Sequence, residues 1–205
     1  MRALLLAPVV VLAATGCIQD DKTPPEKLTL EVATQNAQSS VVPGVETRNF
    51  KRENGWVDTK AANLYLVRYN YEMALTRDLP EAALELAKIY EQNQKGNQKN
   101  SGFMGINEWG NLFQLKINAN NWINGQDNFA QRRDRLLSQC APCSQYWNSD
   151  EGGKDAAELR RYSYIQAWSH LEGMGFTDGQ KKGDGVPWNI SPSFMKTENG
   201  WMEAK

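Results

Sequence analysis

The sequence predicts a mainly α-helical protein, a small helical domain that contains one helical hairpin. Two observations favour this class, and the composition indicates the size of the domain. Apolar residues recur at helical spacing over residues 79–90 and again over residues 155–171. Residues 112–123 fit a helix and a strand about equally well, and their helical neighbours favour a helix. The chain of 205 residues is 40% hydrophobic and 23% charged, which is enough for one domain with a buried core.

The N-terminus has the layout of a secretory signal peptide. Arg2 precedes an apolar run that is too short to span a bilayer as a mature helix. The following segment, Ala14-Thr15-Gly16-Cys17, resembles a bacterial lipobox. The resemblance implies that residues 1–16 are removed and that Cys17 carries a diacylglyceride with acyl chains of the palmitate type. A secreted protein that is cleaved near Ala14 is the alternative.

The lipobox resemblance also implies a location. Ile18 follows the cysteine, where an aspartate would favour retention in the inner membrane. The resemblance therefore implies an anchor in the outer membrane and a folded domain that faces the periplasm. Residues 17–54 are rich in polar residues and predict a tether. Residues 28–32 alternate apolar and polar side chains, which is typical of a short strand that could form one β pair.

The predicted hairpin lies in a helical domain over residues 55–176. Asp58 can cap a first helix over residues 59–77, and Pro80 suits the first turn of a second helix. The segment Tyr71–Gly96 resembles one Sel1-type, or tetratricopeptide-like, helical repeat. The residues that carry this resemblance are Tyr71, Ala74, Leu75, Ala82, Leu86, Ala87 and Tyr90. The resemblance implies an adaptor that binds other proteins.

Two further helices complete the predicted domain. One covers about residues 128–139. The last one begins at Asp155, where Glu158 three residues later forms a capping-box pattern, and it ends at Gly173. Residues 177–205 are rich in Gly, Lys and Pro and predict an irregular tail with isolated aromatic residues.

The most distinctive chemical motif is Cys140-Ala141-Pro142-Cys143. Its C-x-P-C spacing is typical of thiol–disulfide oxidoreductases. The residues before Cys140 predict the end of a helix rather than the buried strand that precedes the motif in those enzymes. With Cys17 lipidated, an even pair is left in an oxidising compartment, which predicts a structural disulfide. Redox catalysis by the pair remains an alternative. A metal site is another, in which the two thiolates would supply half of the ligands.

The remaining candidates do not form a catalytic constellation, so we predict that the protein is not an enzyme and uses neither cofactor nor metal. The single histidine, His170, is adjacent to Ser169, and neighbouring helical side chains point in different directions. Residues 178–185 fail as a calcium loop because Gln180 and Lys182 occupy ligand positions. The chain has 23 basic and 24 acidic side chains, and this balance argues against nucleic-acid binding.

Aromatic residues are the predicted contacts with a partner. Trp188 and Trp201 lie in the predicted tail, and Tyr71 and Tyr90 lie on the predicted hairpin. Because interfaces favour Trp and Tyr, these residues are candidate contacts with a partner protein. The resemblances to a lipobox and to a helical repeat imply an accessory or scaffold protein in an envelope assembly of the secretion, conjugation or exclusion type. A lipoprotein that binds a small ligand or peptidoglycan is the other alternative.

Overall fold

The computed structural model describes residues 22–59, 61, 63–100 and 106–204. Within these residues six helices pack on one antiparallel sheet of five strands. The protein is therefore mixed α/β, and the prediction of a mainly α-helical fold was wrong. Cys17 and the lipobox lie outside the described residues. In chain order the elements are α1 (Glu26–Gln38), β1 (Val45–Val57), β2 (Leu64–Leu75), α2 (Leu79–Asn100), α3 (Ile106–Asn124), α4 (Phe129–Ser138), α5 (Ala141–Asn148), α6 (Gly153–Gly173), β3 (Gly185–Ile190), β4 (Ser193–Thr197) and β5 (Gly200–Glu203).

Strand β2 is the centre of the sheet. Strand β1 pairs with it along one edge, and strands β3 and β4 follow one another along the other edge. The link between β3 and β4 stays close to β2, because the N–H of Val67 donates to the carbonyl of Pro192 at 3.1 Å. Strand β5 pairs with β4 and ends the sheet. Residues 177–205 were predicted to form an irregular tail, and that prediction was wrong for the residues that form these three strands.

Alternating burial explains why β2 is a strand. Every second side chain from Val67 to Leu75 is buried, whereas Arg68 and Asn70 between them are exposed. This is the period of two residues that a half-buried strand shows. The predicted helix over residues 59–77 was therefore wrong. Asp58 caps no helix there, and its N–H instead donates to the carbonyl of Leu64 at 2.8 Å.

Helix α1 replaces the predicted strand over residues 28–32 and part of the predicted tether. Its buried residues are Thr29, Val32, Ala33 and Ala37, which lie at helical spacing and face the sheet. Thr29 Oγ1 lies 2.7 Å from the hydroxyl of Tyr69. The helix covers the half of the sheet where Val67, Tyr69 and Phe194 form a small core.

Helices α2 and α6 form the main core with the other half of the sheet. Helix α2 follows the predicted apolar stripe, and α4 and α6 lie close to their predicted positions. The ambiguous segment over residues 112–123 belongs to helix α3. The predicted capping box was wrong, because α6 is preceded by Gly152 in a left-handed conformation, with no side-chain cap. In the part of the chain that is described, no helix is long and apolar enough to cross a membrane.

Candidate functional site

The sheet has one covered face and one open face, and the open face is the first candidate site. Helices cover the face of β2 that carries Val67, Tyr69 and Tyr71. The opposite face carries the exposed Arg68 and Asn70, and its Leu64 and Leu66 belong to neither of the two cores that the described residues form. Directly paired residues on neighbouring strands point to the same face, so the strand register identifies the other side chains of this open face.

One end of the open face is apolar. Trp56 pairs with Leu66, and Leu64 pairs with Met195, which pairs in turn with Met202. Met202 is 50% exposed, and the other four are partly exposed. Arg68 borders this patch, with its guanidinium carbon 5.4 Å from the centre of the Trp56 ring. We call Trp56, Leu64, Leu66, Met195 and Met202 the apolar patch. These side chains can contact another apolar surface without any change in the fold.

The second candidate is a cavity of about 610 Å³ in the helical layer. Helix α2, helix α5 and the first turns of α6 form its walls. Its charged lining comprises Lys88, Glu91, Lys95, Glu151 and Arg160, a net charge of +1. A volume of this size is in the range of small-molecule sites. We call this space the helical cavity.

Glu91 is the most heavily bonded group of the helical cavity. It is only 8% exposed, and it accepts hydrogen bonds from Lys95 Nζ at 2.6 Å and from the Tyr146 hydroxyl at 2.7 Å. Burial, together with the bond to Glu91, raises the pKa of Tyr146 far above its usual range. Tyr146 therefore keeps its proton at neutral pH and acts as a donor. Each oxygen of the Glu91 carboxylate thus accepts one hydrogen bond, one from Lys95 and the other from Tyr146.

Arg160 lies on the opposite wall, and its side chain is only 9% exposed. Its Nη2 donates to the carbonyls of Ser149 at 2.8 Å and Glu151 at 2.6 Å. Its Nε is buried with no hydrogen-bond partner among the described residues. Its Nη1 lies 3.8 Å from Glu91, which is an ion pair without a hydrogen bond. Buried donors are normally satisfied, so this guanidinium has unused bonding capacity.

The two cysteines of the C-x-P-C motif lie at bonding distance and form a disulfide. Cys140 precedes α5 and is 3% exposed, whereas Cys143 is fully buried. Cys143 Sγ lies 3.2 Å from the carbonyl of Pro80, the same carbonyl that accepts a hydrogen bond from Tyr164. The disulfide therefore belongs to the contact between α2, α5 and α6. A sulfur that reacts with another protein must be accessible, and these are not.

The predicted aromatic contacts do not share one surface. Tyr71 is only 5% exposed and stacks on Phe50, with ring centres 5.0 Å apart. Trp188 is partly buried, and its indole N–H donates to the carbonyl of Met174 at 2.9 Å. Trp201 packs edge-on against Tyr65 on the covered face of the sheet. None of the three belongs to the apolar patch.

Tyr90 and the single histidine form a pair on the helical layer. The hydroxyl of Tyr90 lies 2.5 Å from Nδ1 of His170, and their rings are stacked. Burial raises the pKa of Tyr90, so this hydroxyl stays protonated and can donate to the imidazole. Ser169 makes no contact in this pair within the described residues. The pair links α2 to the end of α6.

No group of three or more His, Cys, Asp or Glu residues in the described part of the chain is placed to hold a metal ion. Comparison with protein-family models, curated protein sequences and solved structures gave no match to this chain. The resemblances to a lipobox and to a Sel1-type repeat remain predictions. The predicted hairpin over Tyr71–Gly96 was wrong in its first half, because Tyr71–Leu75 belong to β2.

Sequence reasoning missed both candidate sites. The apolar patch joins residues from four strands that were predicted as tether, helix or tail. The helical cavity joins Glu91 and Arg160, which are far apart in the chain. One signal was present for Arg160, since it falls on the same helical face as the buried Ala157 and Tyr164. A charged residue on an apolar face indicates a buried ion pair or a site.

Proposed function

We propose that this protein is a lipid-anchored envelope protein that acts by binding a protein partner, as an accessory or scaffold of an envelope assembly. Its anchor is Cys17, and its partner surface is the apolar patch on the open face of the sheet. The apolar patch is the observation that carries the proposal. It supports a binding role because the exposed sheet face offers apolar side chains to another molecule.

The chemistry of the rest of the molecule supports binding more than catalysis. The rival redox function needs an accessible sulfur, and Cys140 and Cys143 are 3% and 0% exposed. His170 bonds to Tyr90, and no carboxylate orients it within the described residues. Binding is therefore the proposed function, and a thiol oxidoreductase is its rival.

Site-specific photo-crosslinking in intact cells tests the proposal. A photoreactive amino acid at Met202, in the apolar patch, is expected to capture one dominant envelope protein. The matched control places the same group at Leu30 on α1, which is 39% exposed and lies outside the patch. Capture of the same partner from both positions, or of none from Met202, contradicts the proposed surface.

A pair of substitutions separates the anchor from the surface. Trp56→Ser is expected to reduce partner capture at Met202 while the protein stays in the membrane fraction. Cys17→Ala is expected to release the protein from that fraction, because the lipid is the only anchor that the proposal contains. Membrane retention of the Cys17→Ala protein would refute the lipid anchor and leave the binding surface unaffected.

A further inference from the structure

We propose that the helical cavity binds an organic ligand through a single carboxylate group. The site combines three features: an under-bonded buried guanidinium at Arg160, the uncapped beginning of helix α6, and a free lysine at Lys88. This proposal does not depend on the lipid anchor or on the apolar patch, which lies on the sheet rather than in the helical layer.

Arg160 is the centre of the proposed site. Its side chain is about nine-tenths buried and lines the cavity, and neither Nε nor Nη1 makes a hydrogen bond to a described residue. The Nη1 group carries two N–H donors, and a charged N–H donor forms a strong hydrogen bond with a carboxylate oxygen. Nε is fully buried, whereas Nη1 lies 3.8 Å from the Glu91 carboxylate that also lines the cavity, so Nη1 is the donor next to the open space.

The beginning of helix α6 adds backbone N–H groups on the same wall. Gly152 precedes this helix of 21 residues and offers no capping side chain, and the N–H of Gly153 donates to the carbonyl of Asp150 at 3.0 Å. Those groups and the helix dipole favour an anion. Asp155 is the acidic residue of the first turn, and it is exposed and does not line the cavity. The helix end therefore supplements Arg160, and the proposal does not depend on it alone.

The other charges of the cavity limit the ligand to one negative group. Lys88 is exposed and has no ion pair in the part of the chain that is described, so it is free to approach a ligand. Lys95 is already bound to Glu91. Glu151 lines the rim and adds a negative charge, which keeps the net charge of the lining at +1. Such a balance suits a monocarboxylate better than a phosphate dianion.

The uncharged lining indicates what the rest of the ligand looks like. Pro142 and Ala156 provide apolar contacts, and Tyr146 and Gln145 provide a ring and an amide. A short peptide that ends in a free carboxylate and a small free organic acid both fit this lining. The shared chemistry is the carboxylate, and the binding of a peptide acid compared with that of benzoate distinguishes the two sources.

Calorimetric titration of the full-length protein in detergent tests the proposal. The probes are N-acetyl-alanyl-alanine, its C-terminal amide and benzoate. The dipeptide acid is expected to bind with a dissociation constant of about 1 mM or lower, and the amide at least about tenfold more weakly. Binding of benzoate with similar strength would assign the site to free organic acids. Binding of the peptide acid alone would assign it to peptide C-termini.

Three variants connect the binding to the named residues. Arg160→Lys keeps the charge but loses the planar fork, and it is expected to weaken binding of the acid about tenfold. Lys88→Ala changes an exposed residue, cannot disturb the core, and is expected to weaken binding about threefold. Lys27→Ala, at an exposed position on α1, is the matched control and is expected to bind like the wild type.

Three results would overturn the proposal. They are failure of both acids to bind at about 10 mM, equal binding of the acid and the amide, or an unchanged affinity in both the Arg160→Lys and Lys88→Ala proteins. A thermal melt of each variant checks that it is folded. Lys88→Ala decides the outcome if Arg160→Lys does not fold.

Discussion

Arg132 and Arg135 offer a sharp test of how burial sets the strength of an ion pair. Both lie on α4 and bind the same carboxylate, Asp178. The side chain of Arg132 is 14% exposed, and that of Arg135 is 59% exposed. Arg132 also bonds to Glu172 and lies over the ring of Trp122, with its guanidinium carbon 5.3 Å from the ring centre.

The expected losses of unfolding free energy differ severalfold between substitutions at Arg132 and at Arg135. The change Arg132→Met keeps most of the side-chain volume but leaves Asp178 and Glu172, 22% and 29% exposed, without their common counterion. Loss of one partner from a fully buried pair costs about 3–5 kcal/mol. The remaining access of water reduces this, so we expect about 2–3 kcal/mol of lost unfolding free energy. The change Arg135→Met removes an exposed partner and should cost less than about 1 kcal/mol.

Urea unfolding at neutral pH, followed by circular dichroism, measures both values. Both variants make the same chemical change on the same helix and remove bonding to Asp178, and Arg132→Met also removes the bonds to Gln126 and Glu172. Equal losses in the two proteins, or a loss below about 1 kcal/mol for Arg132→Met, would refute the reasoning that burial decides the effect.

Three further predictions use the same unfolding measurement. Burial alone would raise the pKa of Asp178, but hydrogen bonds from its two arginine partners outweigh burial and lower that pKa. The folded form is therefore favoured above the unfolded pKa of about 3.9, and the stability difference between wild type and Asp178→Asn should shrink as the pH falls below about 4. A pH-independent difference would contradict this. The double change Cys140→Ala and Cys143→Ala opens a loop of sequence separation 3 and should cost about 2 kcal/mol on the loop-entropy model, without loss of partner capture. A loss of capture in a folded variant would revive the redox function. Gly44→Ala should cost about 3 kcal/mol, because φ is +86° and the new Cβ would lie 2.7 Å from a Cβ of α2. Gly179→Ala has a similar φ but open space, so it should cost only about 1 kcal/mol, and equal losses would show that the contact does not matter.

Helices α2, α4 and α6 could be predicted because their apolar residues follow the helical period. Strand β2 could have been predicted as well, since Val67, Tyr69 and Tyr71 alternate with polar residues and have side chains that favour strands. The Ala and Leu residues near its end favour a helix by local propensity, and tertiary packing overrides that propensity here. Strand β1 carried little signal, because its register shifts between Arg48 and Lys51 and again between Arg52 and Asn54.

The candidate sites were harder to predict than the helices, for a physical reason. A cysteine motif lies within four consecutive residues, so its chemistry is visible in the sequence. The apolar patch depends on strand register, and the helical cavity depends on how α2, α5 and α6 cross. Neither the strand register nor the crossing of the helices can be read from the spacing of residues along the chain. The disulfide pair could therefore be predicted from the sequence, and the position of Arg160 in the helical cavity could not.

The order of the strands affects how the newly made chain reaches its final structure. Ribosomes make residues 64–75 long before residues 185–197, which form the two strands that later pair with one side of β2. During this interval the hairpin of β1 and β2 has an unpaired edge. The strand pairs that later cover this edge join residues separated by more than half of the chain, which favours slow folding. Chains interrupted before residue 185 would keep that edge exposed, and an unpaired strand edge is a template for aggregation. A secretion or holding factor that shields β2 would therefore raise the yield of folded protein more than one that acts on the helices.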